Sequence, residues 1–320
     1  MEKVGFLDFI EEDINRVEER MLSRSMGHHP ELGAALKHLL SSGGKRVRPM
    51  IAILTGSLLG ADKDDLVTLG ASIELLHTAT LVHDDLIDGA LLRRGNPTLN
   101  SNWSPAATVL TGDYIFAQAA ELAAEIGSNR VMSLFAQTLT TIVNGEVRQL
   151  FSRKGVTTKD EYFRRIYEKT GSMFVLATHA SALLSSADGD VVEAAKTYGH
   201  EVGKAFQIVD DILDFTGDET RLGKPVGGDL QQGVLTLPAL YFKERYPDHA
   251  DLKTVMNGQG KNSLVDKVIM EIKDSPAIPQ ALKDARQYAN AAVDALSHFP
   301  PGEERNALQE LAEFVVERKI

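Results

Sequence analysis

Apolar residues at helical spacing set the limits on what this chain can fold into. Leu66, Leu69, Ile73 and Leu76 recur at i, i+3, i+7 and i+10, and Val191, Ala194, Ala195, Val202, Ala205, Ile208 and Ile212 carry the same period later in the chain. Phe135, Leu139, Ile142 and Glu146 step along one face of a third segment. Alternating apolar and polar runs of useful strand length are hard to find. Breaks rich in Gly, Pro, Ser and Asn fall at 41–45, 93–98, 186–190, 223–229, 257–262 and 299–304. The expectation is an all-α chain of about a dozen helices. With no low-complexity linker to divide it, residues 1–320 read as a single domain.

Two of these helical segments run into aspartates. Asp84, Asp85 and Asp88 end the first, and Asp210, Asp211 and Asp214 repeat the spacing 126 residues later. On a helix, residues i and i+4 share a face and i+1 lies about 100° round. Each triad therefore crowds three anions together. Like charges at that spacing weaken a helix, and both triads lie far from the helix N-termini where the dipole would favour them. A solvated acidic face would explain one such cluster. It explains two less well, because both are embedded in apolar sequence, "LVHDDLID" and "QIVDDILD". Carboxylates with no cysteine and no histidine set nearby suit Mg²⁺, which shares its shell with waters and substrate phosphates. Ca²⁺ would want a glycine-punctuated loop of oxygen ligands, and His83 alone does not make a zinc site.

Basic residues supply the opposite charge. Lys45, Arg46 and Arg48 stand beside a glycine pair in "GGKRVRP", and Arg93 and Arg94 follow the first triad. Lys169 precedes Thr170, and Lys224 stands in the glycine-rich loop after the second triad. Each alone reads as a surface cation. Together they point to two anionic groups, one reached through metal and the other gripped by Lys and Arg, whose planar fork pairs with phosphate oxygens.

A formal net charge of −11 argues against a nucleic-acid partner but not against small phosphorylated ligands. No apolar run is read as an integral membrane segment. The acid-rich start resembles neither a secretory signal nor a transit peptide, and cysteine is absent. A cytoplasmic enzyme or binding protein is the expectation.

The blocks "GGKRVRP", "ELLHTATLVHDDLID", "RRGNPT", "GDYIFA", "NGEVRQL", "EKTGSMF", "GKAFQIVDDILDFTGD" and "LGKPVGGDLQQGVLTLP" resemble, in order and separation, the trans-type isoprenyl diphosphate synthases of the polyprenyl synthetase family. The likeness weakens beyond about residue 240. It implies a helical bundle around a deep central cavity, usually a homodimer. It also implies that Asp84, Asp85, Asp88, Asp210, Asp211 and Asp214 hold Mg²⁺ against the diphosphate of an allylic substrate. Arg93 and Lys169, with Lys224, would grip that diphosphate. Lys45, Arg48, His77 and Arg94 would bind isopentenyl diphosphate without metal. Thr170 and Gln207 would turn oxygens toward the allylic cation. No side chain stands out as the base for the final proton loss, and the family's favoured candidate is the released diphosphate.

Product length follows from side-chain size. Ala79 and Thr80, five and four residues before Asp84, are small where short-chain members often carry an aromatic, so the cavity stays open along the first acidic helix. The spacing of Asp88 also lacks the insertion of common bacterial farnesyl diphosphate synthases. A product of roughly C30 to C50 is expected, since interior space is set by side-chain volume. Leu76, Ile73 and Phe135 are deeper candidates for the floor, although Phe135 reads equally as an ordinary core aromatic. Departures include Val234, where many relatives have Lys, and Gly89 with Ala90, where a polar pair is common. The greasy product makes peripheral membrane contact at release an expectation. Alternatives are a short-chain synthase, a terpene cyclase, a head-to-head condensing enzyme and a regulatory subunit of a heteromeric synthase. Retention of both all-aspartate motifs and of "GGKRVRP" and "RRGNPT" disfavours the last three.

Overall fold

The computed structural model describes residues 9–24, 29–41, 44–93, 95–151, 158–217, 226–258, 260 and 262–318. Nearly all of them are helical. In chain order the helices are α1 (Glu11–Ser23), α2 (Pro30–Ser41), α3 (Val47–Leu58), α4 (Lys63–Ile87), α5 (Leu99–Asn102), α6 (Pro105–Glu125) and α7 (Asn129–Phe151). After them come α8 (Lys159–Ile166), a π-helical turn at Tyr167–Gly171, α9 (Ser172–Leu183) and α10 (Gly189–Thr216). Six further α-helices lie between Gly228 and Glu317 among the described residues. The only strands among those residues are Leu92–Arg93 and Asn96–Pro97, an antiparallel pair. The all-α expectation holds.

The chain gathers into two compact units, each assembled from three separate stretches. The first comprises Met1–Leu139, Met173–Gly199 and Ala295–Glu310. The second comprises Thr140–Ser172, His200–Asp294 and Leu311–Ile320.

In the first unit, α4 is the central helix, packed against α1, α3 and α6. Asp62 caps its start by accepting the backbone N–H groups of Asp64 and Asp65. From Leu66 to Leu76 nearly every side chain is buried, Ser72 and Glu74 included, so the helix is enclosed on all sides rather than striped. By length and composition α4 could cross a membrane, which the sequence reading did not anticipate; 72% of its most apolar window is buried within the protein. Glycines let its neighbours approach. A Cβ on Gly56 of α3 would stand 2.2 Å from Leu66, and one on Gly112 of α6 would stand 2.2 Å from His83. Ser72 Oγ donates to the Ala119 carbonyl at 2.8 Å, and His83 Nε2 lies 3.2 Å from the Val109 carbonyl.

The second unit closes over its own core. Tyr162, Ile166, Ile208, Ile212, Phe215 and Leu237 are among the side chains packed there. Thr158 and Glu161 form a reciprocal capping box at the start of α8. The period read along Val191–Ile212 is α10, and Asp210, Asp211 and Asp214 occupy its last two turns.

Candidate functional site

Both aspartate triads fall at the C-terminal ends of their helices, where the dipole adds negative charge to negative charge. In the first unit, α4 ends at Ile87 with Asp88 as its cap. Gly89 follows at φ +64°, and the N–H groups of Gly89 and Ala90 close onto the carbonyls of Leu86 and Asp85 at 3.2 and 2.8 Å. This closure needs a left-handed residue just past the cap, which accounts for Gly89. Asp84 is half-buried, Asp85 buried and Asp88 exposed. The hairpin after them carries Arg93, whose Nε donates to both oxygens of Asp85 at 2.8 and 3.0 Å. Arg93 is thus a ligand of the carboxylate cluster itself. Arg94 and Lys224 lie outside the described residues.

On the helical wheel of α4, His77, Asp84 and Asp88 span about 40°, so the structure brings His77 onto the carboxylate face. Lys45 is exposed just before α3, and Arg48 is half-buried in its first turn with its guanidinium 5.1 Å from the Phe174 ring centroid. Between them Arg46 turns inward and is buried, apart from the Lys45 and Arg48 cations with which its sequence position grouped it as an anion ligand.

The residues proposed to set product length lie in the core of the first unit. Ala79, Leu76 and Ile73 are fully buried, Phe135 is buried, and the Thr80 hydroxyl donates back to the His77 carbonyl at 2.7 Å. Ser72, Leu76, Ala79 and His83 lie within about 60° of one another. Because Ser72 and His83 both bond α6, Ala79 sits on the stripe facing α6 rather than beside Asp84. Thr80 lies between the two faces.

In the second unit a hydrogen-bond chain joins four side chains. Thr170 Oγ1 donates to Gln207 Oε1 at 2.7 Å, Gln207 Nε2 donates to Asp211 Oδ1 at 2.8 Å, and the Tyr162 hydroxyl donates to Asp211 Oδ2 at 2.7 Å. Burial and then the charge of Asp229 push the Asp211 carboxyl up to about 8, against the opposing pull of Gln207 and Tyr162. Burial, reinforced by Asp211, holds the Tyr162 hydroxyl well above its usual value and keeps it a donor. Asp214 Oδ2 accepts the Asp229 N–H at 3.3 Å, and its carbonyl accepts the Gly227 N–H at 2.6 Å. Asp210 pairs with Arg318 at 3.1 Å, and that guanidinium also lies 4.1 Å from the Phe206 ring centroid. Val234 is half-buried, its N–H bonded to the Asp229 carbonyl at 2.8 Å.

Lys169 and Thr170 sit on the π-helical turn, an irregularity that re-aims side chains and recurs at functional positions. The block "NGEVRQL" supports that turn. Glu146 pairs with Lys169 at 2.8 Å, Arg148 pairs with Glu168 at 3.2 Å, and a Cβ on Gly145 would stand 2.8 Å from that of Glu168. Tyr162, Glu146 and Arg318 were missed from sequence. No local spacing in the sequence connects Tyr162 to Asp211.

Among the described residues no three His, Asp or Glu side chains converge closely enough to hold a metal ion by themselves. Mg²⁺ takes oxygen ligands and keeps waters and phosphate oxygens in its shell. The donor set fits on chemistry: carboxylates only, at negative helix ends, with guanidinium cations already paired to Asp85 and Asp210.

The sequence pattern of the family described as polyprenyl synthetase matches residues 29–272. The chain is 35% identical over 313 residues to heptaprenyl diphosphate synthase component 2 of Bacillus subtilis, covering 98% of this chain and 90% of that one. A polyprenyl synthase from Caulobacter crescentus, crystallised with calcium and isoprenyl diphosphate, superposes with a TM-score of 0.92 at 34% identity, covering 98% of this chain and 97% of that one. Geranylgeranyl pyrophosphate synthetase from Pyrococcus horikoshii superposes at 0.90 with 31% identity over 100% of both chains.

Proposed function

Because the chain belongs to the polyprenyl synthetase family, and so is a trans-prenyltransferase joining isopentenyl diphosphate to an allylic diphosphate, we propose that it repeats this condensation with Mg²⁺ to a product of roughly C30 to C50, a length set by interior volume. The observation that carries this reading is the pair of all-aspartate triads at helix C-termini, each already paired with a guanidinium. Asp84, Asp85 and Asp88 would hold Mg²⁺ in the first unit, and Asp210, Asp211 and Asp214 in the second. Mg²⁺ bound there would neutralise charge on the departing diphosphate. The Caulobacter relative, complexed with calcium and isoprenyl diphosphate, supports a divalent cation in this reaction.

Arg93 and Lys169, with Lys224, bind the allylic diphosphate, each cation meeting negative charge that grows as the C–O bond breaks. Lys45, Arg48, His77 and Arg94 hold isopentenyl diphosphate so that its double bond meets the cation before water does. Thr170 and Gln207 offer oxygens to that cation, and their mutual hydrogen bond fixes both side chains in advance. Farnesyl or geranylgeranyl diphosphate is the proposed primer. The small, buried Ala79 and Thr80 support a long product, while the geranylgeranyl relative keeps a short-chain synthase as the second reading.

We propose a homodimer. Val143, Val147, Leu150 and Phe151 form an exposed apolar stripe along α7, and Val109 and Leu110 expose a patch on α6, surface suited to a second copy. The component 2 relative offers the alternative of a different partner chain. Diphosphate release tests the reaction: it should require Mg²⁺, isopentenyl diphosphate and farnesyl diphosphate together. Release from farnesyl diphosphate alone would indicate a cyclase or head-to-head enzyme instead.

A further inference from the structure

Arg46 is the one described residue other than glycine with a positive φ, +47°, a conformation that a side chain with a Cβ adopts at a cost. Its side chain ties three elements of the first unit together. Nε donates to Glu18 Oε1 of α1 at 2.9 Å, Nη1 to Glu74 Oε1 of α4 at 3.0 Å, and Nη2 to the Leu40 carbonyl near the end of α2 at 3.1 Å. Its carbonyl accepts the Met50 N–H at 3.0 Å, which starts α3. Gly44 leaves the room: a Cβ there would lie 3.3 Å from Arg46 Nη1 and 3.7 Å from Glu74 Oε1. Glu74 is buried, and its Oε2 finds no hydrogen-bond partner among the described residues.

The placement links residues assigned to one substrate. Arg46 lies between Lys45 and Arg48, and Glu74 lies one turn before His77 on α4, within about 60° of it on the wheel. We propose that the buried Arg46–Glu74 pair is the positioning element of the isopentenyl diphosphate site, fixing the Lys45–Arg48 turn relative to His77. The inference rests on the assignment of Lys45, Arg48 and His77 to that substrate. Arg46 itself does not touch the ligand. Its left-handed backbone sends its own side chain inward while its neighbours stay near the surface, and the ion pair sets the separation of the cations from the imidazole. A bidentate grip on a diphosphate tolerates little change in that separation.

Arg46→Ala would leave a buried carboxylate unpaired and is expected to fold poorly. Glu74→Gln keeps shape and one hydrogen bond, and Arg46→Lys keeps the charge. Steady-state kinetics and calorimetric titration of isopentenyl diphosphate in EDTA then separate positioning from bracing. Glu74→Gln is expected to weaken isopentenyl diphosphate binding and raise its KM by about five- to tenfold, with allylic KM and saturated kcat within about twofold. Arg46→Lys keeps the charge but not the three-way fork, and should raise the isopentenyl diphosphate KM at least as much. A lowered melting temperature with both KM values unchanged, or both raised alike, would overturn the positioning role. Failure of the natural chain to bind isopentenyl diphosphate at all would overturn the site assignment and the inference together.

Discussion

Replacing Gly112 by Ala tests whether the close approach of α6 and α4 holds the first aspartate cluster in place. A Cβ on Gly112 would stand 2.2 Å from His83 Nε2, 2.5 Å from Cδ2 and 2.9 Å from Cε1. Ordinary contact between such atoms begins near about 3.5 Å, so the ring or the helix must move by more than about 1 Å. The ring is not loose: Nε2 lies 3.2 Å from the Val109 carbonyl and 3.5 Å from Asp113, and Phe116 lies 5.2 Å away, centroid to centroid. Overpacking of this kind costs about 1–3 kcal/mol, while Gly to Ala inside a helix returns about 1 kcal/mol. The net expectation is a loss of up to about 2 kcal/mol. His83 immediately precedes Asp84, and a misplacement of about 1 Å at a reacting group can lower turnover by about a hundredfold. Thermal melting and saturated diphosphate release measure both effects. Adding His83→Ala removes the obstructing ring and should restore most of the lost stability. A Gly112→Ala protein that melts at or above the natural chain and turns over normally would refute the reasoning.

Three other substitutions follow from the same geometry. Asp211→Asn should lower turnover by at least about a hundredfold while raising stability at pH 8 by on the order of 1 kcal/mol. The sign follows from a carboxyl held at about 8 against an ordinary 3.8: the natural chain loses stability as pH rises through that window and the amide does not, so melting curves in EDTA should converge near pH 4. Tyr162→Phe removes a buried donor to Asp211 and should cost about 1–3 kcal/mol, with a rise in the Mg²⁺ concentration that half-activates the enzyme; an unchanged Mg²⁺ curve would make the hydroxyl merely structural. Ala79→Tyr should shorten the product and, because Ala79 is fully buried against α6, cost about 1–3 kcal/mol; an unchanged product distribution would reject a tunnel wall along that stripe.

The period of Leu66 to Leu76 and of Val191 to Ile212 announced α4 and α10, and the DDxxD spacing placed both triads, because helix periodicity and charge crowding are local properties. The π-helical turn under Lys169 and Thr170 was not legible, since the residues packed against it, Gly145, Glu146 and Arg148, lie on α7, about 20 residues earlier in the chain. Tyr162 joins Asp211 across 49 residues of sequence, which no spacing rule reaches. Arg46 shows the opposite difficulty. Beside glycines and between two other cations it reads as a phosphate ligand, and only the fold reveals Glu18 and Glu74 waiting for it. Gly89 looked like a loss of polar function and is instead the residue that lets α4 stop at Asp88.

Chromatography of the products made from Mg²⁺, isopentenyl diphosphate and farnesyl diphosphate tests the central claim most directly. The account predicts a ladder of all-trans prenyl diphosphates ending at roughly C30 to C50, where the interior volume runs out. A cyclic hydrocarbon, a head-to-head product, or no elongation by the purified chain without a second component would contradict it.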